Sequence, residues 1–153
     1  MFNLSYQPFA NAYRRFERMD KDSLLAELGW PDGQRACTSA LITSLALLAA
    51  GAPLNGNARI EAGALTGRRA FTGANHLADW LVAHFGAPQG IPLDGGPGEV
   101  AYQLYGQRGI VAFMQGSGPQ GGLIGLLDGA NAAPLCCAAE IHHPLEVRFW
   151  ALN

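Results

Sequence analysis

In the first half of the chain, apolar positions recur at helical spacing. Phe9, Tyr13 and Phe16 lie four and three residues apart. That period predicts an amphipathic helix over residues 6–19, with the charged side chains of "YRRFER" (13–18) turned to water. "KDSLLAELGWPDG" (21–33) predicts a short helical turn ending at Gly29, with Pro31, Asp32 and Gly33 as turn chemistry. The clearest helix is expected over 37–50, where Leu41, Leu45 and Leu48 share a face and Gly51 and Pro53 stop the run. Residues 54–72 show no period, are rich in Gly and Asn, and read as a long surface excursion. "ANHLADWLVAHFG" (74–86) predicts a further helix, with Leu77, Trp80, Leu81 and Phe85 inward and Gly86 as its stop. Residues 88–99 read as a loop, and 98–106 as a helical turn or two.

The last third changes period. "GIVAFM" (109–114), "LIGLLD" (123–128) and "LEVRFWAL" (145–152) have strand length, are bounded by Gly and Pro, and carry Val, Ile, Phe and Trp. In the last run Val147, Phe149 and Ala151 alternate with Arg148 and Trp150. Helices followed by strands predict an α+β fold, a small antiparallel sheet packed on helices. No repeat and no linker divides the sequence, so residues 1–153 are read as one domain.

Composition narrows the function classes. Of the 153 residues 49% are hydrophobic and 14% charged, against a usual charged share of about 25%. So sparsely charged a surface suits a binding or self-association face. A net charge of −2 and a pI near 6.0 argue against a nucleic-acid footprint. The clusters "YRRFER" and "TGRR" (66–69) are read as solvated faces. "MFNLSYQPFANAYRRF" has neither the basic start nor the unbroken apolar centre of a signal peptide. The longest apolar run, "ALITSLALLAAGAPL" (40–54), is too short and too interrupted to span a bilayer. Three cysteines, two of them adjacent at 136 and 137, make neither a disulfide framework nor a paired Cys-x-x-Cys metal pattern. Cys136 and Cys137 both suit buried thiols, and no metal and no cofactor is expected.

One motif invites a nucleotide reading. "GSGPQGGLIGLLDG" (116–129) opens with Gly-x-Gly-x-x-Gly after an apolar strand. A dinucleotide loop must run into a helix whose N-terminus holds the anion. Here it runs into the strand-like "LIGLLDG", and Pro119 removes an amide that such a site would use. The glycines are therefore read as a hairpin connection between antiparallel strands.

The candidate for chemistry is Cys37, placed at the first turn of the predicted 37–50 helix. A helix N-terminus favours a thiolate, and papain-like enzymes pair such a cysteine with a histidine from an adjacent sheet. The plainer reading is a small buried residue, which is the usual fate of a free cysteine.

Six stretches, in order, resemble the type VI secretion amidase effector family 4. These are small papain-like cysteine amidases that cut the peptide cross-bridge precursor of bacterial peptidoglycan. "FANAYRRF" resembles the family's first helix, and "ACTSALITSLALLAAG" its nucleophile helix. "RRAFTGANHLADWLVAHFGAP" is similar to its Tyr-rich segment and the helix that ends in Gly-x-Pro. "LYGQRGIVAFMQG" is similar to its Gly-(Lys/Arg)-Gly-Ile strand, and "EVRFWAL" to its terminal Trp-containing strand. "GGLIGLLDG" resembles the strand that usually reads Gly-His-(Ile/Val)-x-Leu-Trp-(Asp/Asn)-Gly.

The resemblance implies a papain-like fold with Cys37 in the nucleophile position. It also implies two losses. Leu123 stands where the family carries its catalytic histidine. The family's acid, in a cysteine-flanked loop, would fall near "AAPLCC" (132–137), which has no carboxylate. Loss of a triad member costs about 10⁴-fold or more in rate. The expectation is thus a catalytically degenerate relative, an antibacterial effector or accessory protein that works by binding a peptidoglycan fragment, a hydrophobic ligand or a partner peptide. The alternatives are an active cysteine amidase with a rebuilt dyad of Cys37 with His142 or His143, and an interaction domain unconnected with the cell wall. His76 and His84 are read as a rim and a solvated histidine, and Asp128 as a turn residue. Further expectations from the resemblance are export through a type VI system without a signal peptide, action in the target-cell periplasm, and a cognate immunity protein and secretion-spike components as partners.

Overall fold

The computed structural model describes residues 3–30, 37–115 and 122–153. Helix α1 (Tyr6–Arg18) buries Tyr6, Phe9, Ala10, Tyr13 and Phe16 along one stripe, as the sequence period predicts. The Tyr6 amide donates to the Asn153 carbonyl at 2.9 Å, which ties the beginning of the helix to the chain end. Asp20 caps α2 (Lys21–Glu27) by accepting from the Ser23 amide at 3.1 Å.

Helix α3 (Ser39–Ala49) lies at the centre of the helical layer. Ala40, Leu41 and Thr43 through Leu48 are all buried, so the helix is covered nearly all round rather than on one face. It begins two residues later than expected. Thr38 is the N-cap, its hydroxyl accepting from the Leu41 amide at 3.1 Å, and Cys37 therefore precedes the helix instead of occupying its first turn. Helix α4 (Ala74–His84) comes after a two-stranded ribbon, β1 (Ala58–Arg59) with β2 (Arg69–Ala70), inside the segment expected to be irregular.

The main sheet holds four strands in the order β3-β6-β4-β5, all antiparallel: β3 (Gln89–Ile91), β4 (Arg108–Met114), β5 (Leu123–Asp128) and β6 (Glu146–Ala151). Strand β3 lies in the stretch read as a loop. It is three residues long with a central Gly, and it is a strand because β6 offers a free edge to pair with. Two helices complete the set, α5 (Pro97–Leu104) and α6 (Ala132–Glu140). The latter occupies "AAPLCC", where the resemblance implied a loop. Its alanines favour helix, and Pro134 falls within the first turn, where a missing amide costs nothing.

The sheet is covered on both faces. Ile110, Ala112 and Met114 of β4 face the layer of α1, α3 and α4, while Val111 and Phe113 face α5 and α6. Strand β6 divides in the same way, with Trp150 on the first face and Val147 and Phe149 on the second. Trp150 is therefore core, its indole N–H donating to the Gly86 carbonyl at 2.9 Å. Among the described residues no helix is long and apolar enough to cross a membrane.

Candidate functional site

The site forms where the start of α3 meets β5, one of the two edge strands of the sheet. Two hydroxyls of α3 fasten that edge. Ser39 Oγ accepts from the Ile124 amide at 3.2 Å, and the Thr43 hydroxyl lies 3.0 Å from the Ile124 carbonyl oxygen and 2.9 Å from that of Ser39. Thr38 ties the same helix start to the segment before α4, donating to the Thr72 carbonyl at 2.9 Å. Both backbone groups of Ile124 are thus satisfied by one helix, and the register of Leu123 against Cys37 results from it. At the start of the strand, Gly122 packs against the Phe113 carbonyl so closely that a Cβ would overlap it. That contact accounts for one glycine of the 116–129 motif. Residues 116–121 themselves lie outside the described residues.

Cys37 is half-buried and opens into a cleft of about 250 Å³. Its apolar walls are Tyr13 and Phe16 of α1, Ile42 of α3, Leu123 of β5 and Leu135 of α6, with Glu17 and Lys21 also on the lining. Burial pushes the Cys37 thiol above its ordinary pKa, and the Lys21 ammonium only partly offsets this. The thiol's place before the N-cap, rather than in the first turn, removes it from the strongest part of the helix-terminal field. Tyr13 stands over the same strand, and a Cβ at Gly125 would come within 2.8 Å of its hydroxyl oxygen. Burial first, and Glu17 second, raise the Tyr13 phenol to about 12, despite a backbone hydrogen bond from Leu126 that favours the phenolate.

The histidines fall elsewhere. His142 lines a second hollow, of about 280 Å³, with Thr72, Ala74 and Gly122. This hollow shares Thr38, Ser39 and Leu123 with the Cys37 cleft, so the two are neighbours across that wall. A Cβ on Gly122 would sit 3.6 Å from the His142 Cβ. His143 is exposed and holds a φ of 48°, a left-handed turn residue after α6. His76 is exposed and meets the Phe71 ring edge-on at 4.6 Å. His84, also exposed, stacks on Trp80 with its Nδ1 3.1 Å from the Trp80 carbonyl oxygen. Asp128 makes a turn, Oδ1 accepting from the Ala130 and Asn131 amides at 2.9 Å each. Of the adjacent cysteines only Cys136 is buried, and Cys137 is exposed because successive residues of a helix point to different sides.

Sequence reasoning does not bring Tyr13, Lys21 or Leu135 to this site. Tyr13 shows only the helical period of a core residue. Lys21 and Leu135 carry no signal, because their place in the cleft depends on how the α1–α2 turn and α6 dock around the β5 edge.

No family model matches the sequence, and no curated protein matches it. Solved structures do. A chain of the effector–immunity system Tae4/Tai4 from Salmonella typhimurium matches with a TM-score of 0.70 at 18% identity, over 99% of this chain and 100% of that one. The effector Tae4 from Salmonella typhimurium in complex with the immunity protein Tai4 from Enterobacter cloacae matches with a TM-score of 0.64 at 18% identity, over 97% and 99%. The type VI effector–immunity complex Tae4–Tai4 from Enterobacter cloacae matches with a TM-score of 0.60 at 17% identity, over 95% and 98%. Likeness across the full length at such low identity is a likeness of fold: this chain has the α+β, papain-like fold of Tae4.

Proposed function

We propose that this chain is a catalytically degenerate relative of the peptidoglycan amidase effectors, an antibacterial effector or accessory protein that acts by binding in the Cys37 cleft. The observation that carries the reading is the pairing of Cys37 with Leu123 and Leu135 in one cleft that has no histidine among its described lining residues. A cysteine nucleophile needs an imidazole within reach to become a thiolate on cue. Here burial favours the neutral thiol instead. The apolar walls suit a hydrophobic side chain of a peptide or peptidoglycan fragment. At about 250 Å³ the cleft lies just below the range of drug-sized sites, about 300–1,000 Å³, which favours a side-chain-sized occupant. Delivery through a type VI system to the target-cell periplasm, with secretion-spike components as carriers and a cognate immunity protein as inhibitor, extends the same reading from the effector–immunity complexes of the structural neighbours.

The experiment compares the parent with Cys37→Ala, on purified peptidoglycan fragments and as toxins directed to the periplasm of a susceptible cell. Expected are intact fragments with both proteins and equal toxicity. Cleavage by the parent that vanishes in Cys37→Ala overturns the proposal.

One observation favours a second reading, an active amidase with a rebuilt Cys37–His142 dyad. His142 lies in the hollow that adjoins the Cys37 cleft across Thr38, Ser39 and Leu123. On that reading His142→Ala abolishes cleavage while His143→Ala leaves it.

A further inference from the structure

Helix α1 serves the cleft with one face and leaves another unaccounted for. Asn11, Arg14, Arg15 and Arg18 fall at i, i+3, i+4 and i+7, so all four share one face of the helix. They line a shallow hollow of about 480 Å³ on the surface. Arg15 and Arg18 are exposed and Arg14 is half-buried. The face continues through Tyr6, whose hydroxyl accepts from Arg14 at 3.4 Å and whose ring lies 5.2 Å beneath the Arg108 guanidinium. Four of the chain's ten basic residues are thus gathered on one stripe of a protein whose net charge is −2.

Among the described residues, none of these guanidinium groups has a carboxylate within ion-pair distance. The ion pairs there join Arg148 to Asp79 and Glu146. Glu17, the nearest acid in sequence to Arg18, is turned to the Cys37 cleft. Like charges at i, i+4 oppose the helix that carries them, as Arg14 and Arg18 do here. The field at the helix C-terminus welcomes Arg15 and Arg18 in the last turn, and Tyr6 holds Arg14 and Arg108, but a phenol ring does not neutralise their charge. Arg14 and Arg108 meet Tyr6 and Arg15 lies 4.7 Å over the Phe16 ring, but these neutral partners leave the stripe without a carboxylate among the described residues, and so complementary to an anion from outside.

We infer that the Arg14–Arg15–Arg18 face, extended by Arg108, is a docking surface for a carboxylate-rich segment of a partner protein. Arginine rather than lysine suits this role, because the planar guanidinium takes a carboxylate in two parallel hydrogen bonds. A nucleic acid fits less well, since a long polyanion would meet the acidic remainder of the surface beyond four cations. An anionic bilayer fits less well too, because the apolar side of α1 is already buried in the core and has nothing to insert. The inference is independent of any chemistry at Cys37.

The test is a fluorescence-anisotropy titration of the full chain with a labelled octaglutamate peptide. It is run at ionic strengths of about 0.01 M and about 0.15 M, between which the screening length falls from about 30 Å to about 8 Å. Saturable binding is expected at the lower salt and weaker binding at the higher. The variant Arg15→Gln/Arg18→Gln, which keeps Arg14 on Tyr6, is expected to bind about tenfold or more weakly while keeping the parent's far-UV spectrum. Unchanged affinity in that variant overturns the inference, as does the lack of saturable binding at low salt. An oligothymidine or a phosphatidylserine vesicle that binds as tightly as octaglutamate, and loses affinity in the same variant, also overturns it in favour of a phosphate-bearing partner.

Discussion

Leu123 is the residue on which the reading of this chain turns. It packs with Leu135 among residues of the second core layer while also walling the cleft that holds Cys37. Its isobutyl group contributes apolar surface to the wall of that cleft. Tyr13, on the same lining, gives the site a measurable pH signature. Its phenol is raised from 10.0 to about 12 in the folded protein, by burial and then by Glu17. The unfolded chain therefore releases this proton first. The stabilisation is complete below pH 10 and is lost as pH rises from 10 to 12. Two units correspond to roughly 2–3 kcal/mol. Urea midpoints measured across this range should fall more steeply for the parent than for Tyr13→Phe, and parallel curves would refute the assignment.

At the scale of elements, the decisive contact is between α3 and the edge strand β5. An exposed edge offers unpaired backbone groups, and here Ser39 and Thr43 satisfy both the amide and the carbonyl of Ile124. Thr43 is fully buried, so no water replaces its hydroxyl. Thr43→Val keeps the side-chain volume and leaves the Ile124 carbonyl without that donor. The expected cost is about 1–3 kcal/mol, read as a lower urea midpoint with an unchanged slope. After residues 116–121, which lie outside the described residues, the chain enters a strand, and that strand is hydrogen-bonded to the first turns of α3. Helical periods, and strands at 109–114, 123–128 and 145–152, were legible in the sequence because each carries its own pattern. Strand β3 was not, since three residues pair only because β6 is there, and α6 was not, because the resemblance implied a cysteine-flanked loop where the alanines favour helix.

On the scale of the whole molecule, one sheet carries two apolar layers, and β4 at its interior contributes to both. Phe113 is almost fully buried in the layer of α5 and α6. Phe113→Ala is expected to cost about 3–5 kcal/mol. Because the layers share β4, near-UV and far-UV transitions in urea should still coincide. Separated transitions would mean that the layers fold as independent units. The double coverage also corrects the alternation read along β6. Trp150 does lie opposite Val147 and Phe149, as the alternation predicts, but both faces are core there, and Glu146 and Ala151 at the two ends are the exposed positions.

The division between sequence and tertiary structure is sharpest around the site. Sequence periodicity determined the main helices, three of the four sheet strands and the α+β class, because those patterns are local and short in range. The ordered stretches that resemble the amidase effectors singled out Cys37 and Leu123, positions that the fold then brings to one cleft. Only the folded chain decided that Thr38, not Cys37, begins α3, since a cap is defined by the hydrogen bonds it makes. Only the folded chain put Tyr13, Lys21 and Leu135 around the thiol, set His142 in the adjoining hollow, and left the α1 arginines without a carboxylate among the described residues. These are relations between residues far apart in sequence, and their sign depends on burial and on charge at a distance of a few ångströms. No local pattern carries that information, because it exists once helices and sheet have docked.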